Sequence, residues 1–253
     1  MKSLLLFLSL LASNTMAGQL WRGDFETGDL SQWPYLTHPQ GISIQSDCVY
    51  EGNYAADITI TGAESFLWHG NPDLNRSELH FKPADTREGA DVFLGWSFFL
   101  PQPLSVAKHE FGYWEAQDSW QQQMRFNIHG TALSFQASGA DSAYWHLPDG
   151  ASAGVWHDLA MHIHFSLAPN LGRVTIWHDG IKVFNQTMQT RANKTDAMFT
   201  QIGLLRSRED SAATLLIDNA RQSDSIESLL AAFDPNTKVT CSPYKKSVPL
   251  NHD

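Results

Sequence analysis

The sequence predicts an all-β fold: two stacked antiparallel sheets forming a sandwich or jelly roll, closed by one short helix. Three observations carry this. Segments of alternating or β-rich character recur along the chain, and the breaks between them hold Gly, Pro, Asn and Asp, as hairpin turns require. Only SDSIESLLAAF (223–233) has helical spacing, behind a Ser/Asp start. Nothing repeats at a fixed period and no linker-like stretch divides the body, so one domain is expected. Nine tryptophans and fourteen phenylalanines supply the large inward side chains a sandwich core needs.

In chain order, MKSLLLFLSLLASNTMA comes first: one lysine, an apolar run, and a polar stretch ending in the small Ala17. That is the anatomy of a signal peptide over residues 1–17, which implies a secreted or periplasmic protein. No later segment is long and apolar enough to be expected in a bilayer. The remaining 236 residues (253 minus 17) suit one β domain over 18–222, followed by a C-terminal helix and tail over 223–253. Loss of Lys2 moves the formal net charge from −10 to −11. An acidic surface offers no general attraction for nucleic acid or anionic membranes, so a polyanionic ligand would need a local cluster of cations. Arg125 and Arg206 are candidates for such contacts.

The strands are expected in GISIQ, YAADITI, SELHF, DVFLGWSFFLP, HEFGYWEA, MRFNI, ALSFQAS, HDLAMHIHFSL, RVTIWHDG, KVFNQT and ATLLIDNA. Two cysteines in an exported chain, Cys48 and Cys241, are expected to form a disulfide that pins the tail to an early strand.

Within NRSELHF (75–81), alternation puts Arg76, Glu78 and His80 on one face and Ser77, Leu79 and Phe81 on the other. The plain reading of such a row is a solvated sheet face; the alternative is the floor of a polar groove. HEFGYWEAQ offers a second row, His109, Phe111, Tyr113, Glu115 and Gln117, with the same two readings. Carboxylates in GDFETGDLSQW (23–33) and LLIDNA (215–220), together with a turn at Gly52-Asn53, suggest Ca²⁺ held by Glu26, Asn53 and Asp218, against simple turn capping. His162 and His164, with Asp158 on the same face, have the spacing of a transition-metal chelate but no evident further ligand. His129, between MRFNI and ALSF, reads as a hairpin-turn residue. No Gly-x-Ser-x-Gly elbow or phosphate loop is present.

The order FETGDLSQW, EGNYAADI, NRSEL, GVWHDLAMHIHFS, GRVTIWHDGIKVF and a closing IDNA resembles the heparin-lyase-I-like and glucuronan-lyase-like polysaccharide lyases. The likeness covers most of residues 19–222, and the Arg-x-Glu-Leu strand and the Gly-x-Trp-His-Asp segment are its most telling pieces. The resemblance implies a concanavalin-like jelly roll, often with a bound calcium, that cleaves an acidic polysaccharide by β-elimination. Arg76 would then grip the uronate with Gln117, and Glu78 would hold the guanidinium. Tyr113 would serve as the base and could serve as the acid too, and His80 and Glu115 would contact the substrate. Many of these lyases carry a late Tyr-x-Lys-x-Gly-x-Tyr strand. Here FTQIGLLRS (199–207) stands in its place, with Phe199, Gln201 and Leu205 at the Tyr, Lys and Tyr positions. The alternatives are a non-catalytic glycan-binding sandwich and a glycoside hydrolase using Glu78 and Glu115. The expected partner is an acidic polysaccharide, with no nucleic acid or membrane, and the expected state is a monomer.

Overall fold

The computed structural model describes residues 18–138, 144–233 and 241; the expected signal peptide and nearly all of the tail after residue 233 lie outside the described residues. The first eight strands are β1 (Gln19–Gly23), β2 (Tyr35–Thr37), β3 (Ile42–Gln45), β4 (Ala55–Ile60), β5 (Leu67–Trp68), β6 (Asn71–Phe81), β7 (Asp91–Phe99) and β8 (His109–Ala116). The next are β9 (Gln122–His129), β10 (Ala132–Ala137), β11 (Trp145–Leu147), β12 (Trp156–His164), β13 (Arg173–His178), β14 (Ile181–Thr187), β15 (Met198–Ser207) and β16 (Ala213–Ser223), followed by helix α1 (Ile226–Leu230). Every segment the alternation marked as a strand is one. The pattern missed β1, β2, β5 and β11, which are short or at sheet edges, and the central β15, which only the resemblance marked.

The strands form two antiparallel sheets. The front sheet runs β11-β10-β9-β8-β15-β6-β2, with β5 beside β6; the back sheet runs β14-β13-β12-β7-β16-β4-β3, with β1 beside β16. Alternation explains how they stack. Leu79 and Phe81 of β6, Ile202 and Leu204 of β15, and Met124, Phe126 and Ile128 of β9 meet Leu94, Trp96 and Phe98 of β7 and Leu159, Met161 and Ile163 of β12 in one core. Each such side chain contributes about 1.5–3 kcal/mol by leaving water. Trp96 packs edge-on against Phe111 and Phe126 across the gap, at ring separations of 6.3 and 5.9 Å. Gly112 sits in mid-strand because a Cβ there would come within 2.8 Å of the Trp96 ring.

The two outer faces differ. On the back sheet, α1 and the residues after it lay Leu229 and Phe233 over Ala160, with Phe93 and Trp177 beside them. The helix starts at Ser225, whose hydroxyl accepts from the Ser228 N–H at 3.2 Å. Among the described residues no helix covers the outer face of the front sheet, and that is where the polar rows lie.

Cys48 and Cys241 are bonded, with Cα atoms 5.0 Å apart. The bridge sits beside Tyr50, Phe99, Trp156 and Leu216. It closes a sequence separation of 193 residues, for which chain entropy alone gives about 5 kcal/mol of stabilisation. Reduction is therefore expected to move the urea midpoint down by a large fraction of its value. Superimposable unfolding curves with and without reductant would contradict this.

Candidate functional site

The site begins with the register of β6 against β15. Gln201 lies opposite His80, Gly203 opposite Glu78 and Leu205 opposite Arg76. With no bulge in this ladder, Leu79 and Phe81 enter the core while Arg76, Glu78 and His80 stay on the open face. Gly203 lets the β6 backbone approach: a Cβ there would strike the Ser77 carbonyl and the Glu78 Cα, and would lie 3.1 Å from the Glu78 Cγ. On the other side of β15, Gln201 pairs with Tyr113 of β8. The two rows read from the sequence are thus neighbours but one, with Gln201 between them.

Hydrogen bonds tie these side chains into one chain. Arg76 donates from Nε to Glu78 Oε2 at 2.5 Å, and from Nη2 to the Tyr113 hydroxyl at 3.0 Å and to Gln201 Oε1 at 2.7 Å. Gln201 then donates from Nε2 to Glu115 Oε2 at 2.7 Å. None of these bonds uses Arg76 Nη1, and Trp68 lies 5.7 Å from the guanidinium carbon.

Burial tunes every titrating member of the row. Glu78 is pushed up by burial, against the pull of Arg76. Burial also works against the charge on Arg76, yet Glu78 holds its pKa above the ordinary value. Tyr113 is raised well above a free phenol by burial and then by Glu78, so it keeps its proton. Burial lifts Glu115 to about 7. Burial, then the charge on Arg76, drops His80 to about 4, leaving a neutral imidazole. His80 Nε2 lies 2.8 Å from Thr37 Oγ1, and its ring stacks on Phe199 at 5.8 Å.

Beside His80 opens a cleft of about 560 Å³, lined by Tyr35, Lys82, Gln117, Trp120 and Phe199 among others. Tyr35 and Trp120 are 69 % and 66 % exposed. On the far side of the row, Glu110 binds Lys108 Nζ at 2.7 Å and Gln122 Nε2 at 2.6 Å, with Arg125 Nε 3.8 Å away. Arg125 itself is held by Gln136 and Gln122 on the open face. Lys82, Arg76, Lys108 and Arg125 thus meet Glu78, Glu110 and Glu115 on one face of an otherwise acidic chain.

Three expectations need correction. Gln117 is not in the Arg76 row: it lies past the end of β8 and binds Lys82 Nζ at the cleft. Arg206 pairs with the fully buried Asn75, on the inward parity of β15. There Glu209, the Ser211 carbonyl and His109 hold it, away from any groove. Finally, His109, Phe111 and Tyr113 do not share a face, because Phe111 is an extra residue in the pairing of β8 with β9, between Glu110 and Gly112. Phe111 enters the core and Glu110 takes the outward place.

Glu26 and Asp218 do reach the same loop, but with the polarity of clamps. Glu26 accepts from the N–H groups of Asn53 and Tyr54 and from Asn53 Nδ2, at 2.8–3.0 Å. Asp218, fully buried, accepts from the N–H groups of Tyr50, Glu51 and Asn219. The nearby Glu51 is paired with Arg22 and Arg221. Donors fill the places where a calcium ion would need carbonyl oxygens, so the set does not fit that ion. His162 and His164 both turn to Asp91 Oδ1, at 2.7 and 3.0 Å, while Asp158 binds Ser97 and Tyr50 instead. His129 is exposed at the end of β9.

The sequence reading did not single out Lys82, Glu110 or Asn127. Asn127 shares the open-face parity with Arg125 and has a buried Oδ1 without a partner. The alternation Met124-Phe126-Ile128 carried the signal for it.

A family model described as polysaccharide lyase matches residues 25–221. No curated protein matches the chain in sequence. Solved structures with a similar fold include the cellulose-induced protein Cip1, at TM-score 0.57 and 14% identity over 81% of this chain and 97% of that one. The catalytic domain of a glycoside hydrolase family 131 protein from Coprinopsis cinerea aligns at 0.58 and 14%, over 82% and 94%. Alginate lyase AlgAT5, of polysaccharide lyase family 7, aligns at 0.52 and 12%, over 72% and 81%. At these identities the likeness speaks for the fold alone.

Because Glu26 and Asp218 are satisfied by N–H donors, adding calcium to chelator-treated protein is expected to leave its melting temperature unchanged. A calcium-dependent rise would restore the ion to this loop.

Proposed function

We propose that this chain, which belongs to the polysaccharide lyase family, cleaves a uronate-containing polysaccharide by β-elimination, outside the cell that makes it. The observation that carries this reading is the linked row Glu78–Arg76–Gln201–Glu115 with the Tyr113 phenol on Arg76. The likeness to heparin-lyase-I-like and glucuronan-lyase-like enzymes makes glucuronate polymers the first substrates to try.

Elimination needs the uronate carboxylate neutralised, the C5 proton removed and the departing O4 protonated. Arg76 has Nη1 free for an incoming oxyanion, and the Gln201 amide lies next to it, so these two supply the neutralising donors. With the carboxylate neutralised, the electron pair left at C5 is delocalised into it. Glu115, with a pKa of about 7, is matched to accept that proton near neutral pH. Tyr113, which holds its own proton, is matched to give it to O4 as the C4–O4 bond breaks. The products are a new non-reducing end with a C4–C5 double bond and a chain end bearing a hydroxyl. Tyrosine thus serves as acid, while a carboxylate takes the base role. This differs from the Tyr113 base that the resemblance implied, because burial and Glu78 oppose a phenolate.

The cleft beside His80 suits a neighbouring sugar. Tyr35 and Trp120 present exposed rings for stacking, and Lys82 offers a cation for the next carboxylate. Trp120 is held at φ 56°, a left-handed conformation that an aromatic residue rarely adopts.

Absorbance of the unsaturated product, followed over a panel of polyuronates, tests the reading: wild-type protein should generate the chromophore with at least one polymer. Arg76→Lys keeps a charge beside Glu78 but loses the forked donor, and should lower kcat/KM about a hundredfold or more. Tyr113→Phe should cost about 10²–10⁴ in kcat while sparing KM. The wild-type rate should fall as pH drops through about 7, where Glu115 takes up its proton, and Glu115→Gln should remove most activity at every pH. Reducing ends without a chromophore would replace the lyase by a hydrolase, and binding without either product would leave a glycan-binding sandwich.

A further inference from the structure

The back sheet carries a cluster that the elimination chemistry does not use. His157 stands at the start of β12, His178 at the end of β13, and Asp179 in the Asp-Gly turn leading to β14. Asp179 adopts φ 49°, and its Oδ1 accepts from the Asp158 N–H at 2.9 Å. This fixes the carboxylate with Oδ2 turned to both imidazoles. His157 Nδ1 lies 3.0 Å from that oxygen and His178 Nδ1 lies 3.8 Å from it. The two rings stack at 5.3 Å with planes 25° apart, and both Nδ1 atoms lie within 3.8 Å of the same carboxylate oxygen. Both histidines are buried, and Asp179 is 26 % exposed, leaving one open side.

The other ring nitrogens decide what this arrangement can hold. His178 Nε2 lies 2.7 Å from the Gly150 carbonyl, which can only accept, so Nε2 carries a proton. His157 Nε2 lies 3.2 Å from the Ser152 carbonyl and 3.0 Å from its hydroxyl, which fits a donor as well. With both imidazoles neutral and protonated at Nε2, the two Nδ1 lone pairs face one carboxylate oxygen, an arrangement that a cation between them stabilises. Metal-bound histidines are held in this way, with the far N–H donating to a backbone carbonyl. Ligands at about 2.1 Å around a tetrahedral ion stand about 3.4 Å apart, and the distances of 3.0 and 3.8 Å bracket that value. One ligand atom from each residue lies within 4.8 Å of the others.

We propose that His157 Nδ1, His178 Nδ1 and Asp179 Oδ2 form a binding site for a zinc-class divalent metal, with water completing the shell on the open side of Asp179. The site pins one end of the sandwich. Gly150 and Ser152 follow β11 of the front sheet, and the ligands belong to the back sheet, so the metal and its outer partners join the two.

The test uses the full chain, stripped with a chelator and titrated with zinc chloride by calorimetry and with cobalt chloride by visible absorption. The proposal expects one equivalent of zinc bound, a higher melting temperature with zinc, and the intense ligand-field band of four-coordinate cobalt. His178→Ala and the nearly isosteric Asp179→Asn should lose the band and the tight binding, while His162→Ala, in the separate pair on Asp91, should retain both. Absence of binding to wild-type protein overturns the proposal. So does a weak, six-coordinate cobalt spectrum, a reading that requires no variant to fold. Binding that survives in Asp179→Asn, or is lost in His162→Ala, overturns it too.

Discussion

The ion pair between Arg76 and Glu78 is the interaction on which the open face depends. The Glu78 side chain is 1 % exposed and that of Arg76 is 12 %, so two charges stand on a sheet surface almost out of water. Such a pair is costly to bury, and removing one partner strands the other at about 3–5 kcal/mol. Gly203 opposite has no Cβ, which lets the β6 backbone come close at Ser77 and Glu78. Arg76 in turn orients the Tyr113 hydroxyl and the Gln201 amide, and Gln201 orients Glu115. One backbone requirement on β15 therefore propagates through four side chains to the far edge of the row. A guanidinium suits this centre because its planar fork serves several acceptors at once.

The face shows how an acidic chain could take the anionic substrate proposed for it. Four cations are set among carboxylates, and burial lifts Glu78 and Glu115 so that they hold protons more readily than exposed acids do. The favourable field is local, as a net charge of −10 demands. The replacements at Phe199, Gln201 and Leu205 also find a place. Phe199 stacks on His80 at the cleft, Gln201 relays between Arg76 and Glu115, and Leu205 lies beside Arg76. In the proposed elimination, proton transfer is then a task for β8 rather than β15.

How much could be read from the chain depended on strand regularity. Period-two alternation placed Arg76, Glu78 and His80 correctly because β6 pairs with β15 without a bulge. The same reasoning misplaced His109 and Phe111, since a bulge in β8 shifts parity and no residue pattern announces it, and Gln117, which lies past the end of the strand. Glu110 was hidden by the same shift. The paired cysteines and the Ser-led helix were legible because their signals are local or compositional. Arg206 was not, because an arginine at the inward end of a strand is indistinguishable in sequence from one on the groove face. Carboxylates that clamp N–H groups, as Glu26 and Asp218 do, have the same residue types as a calcium site. Only the polarity of their partners separates the two.

The central claim is that this row carries out elimination, and the most direct measurement is mass spectrometry of products formed from a uronate polymer in heavy-oxygen water. Elimination breaks the C4–O4 bond without consuming water. The account therefore predicts fragments with an unsaturated end, lighter by one water than their saturated counterparts, and no heavy oxygen introduced by cleavage. One heavy oxygen incorporated per bond cut would contradict it.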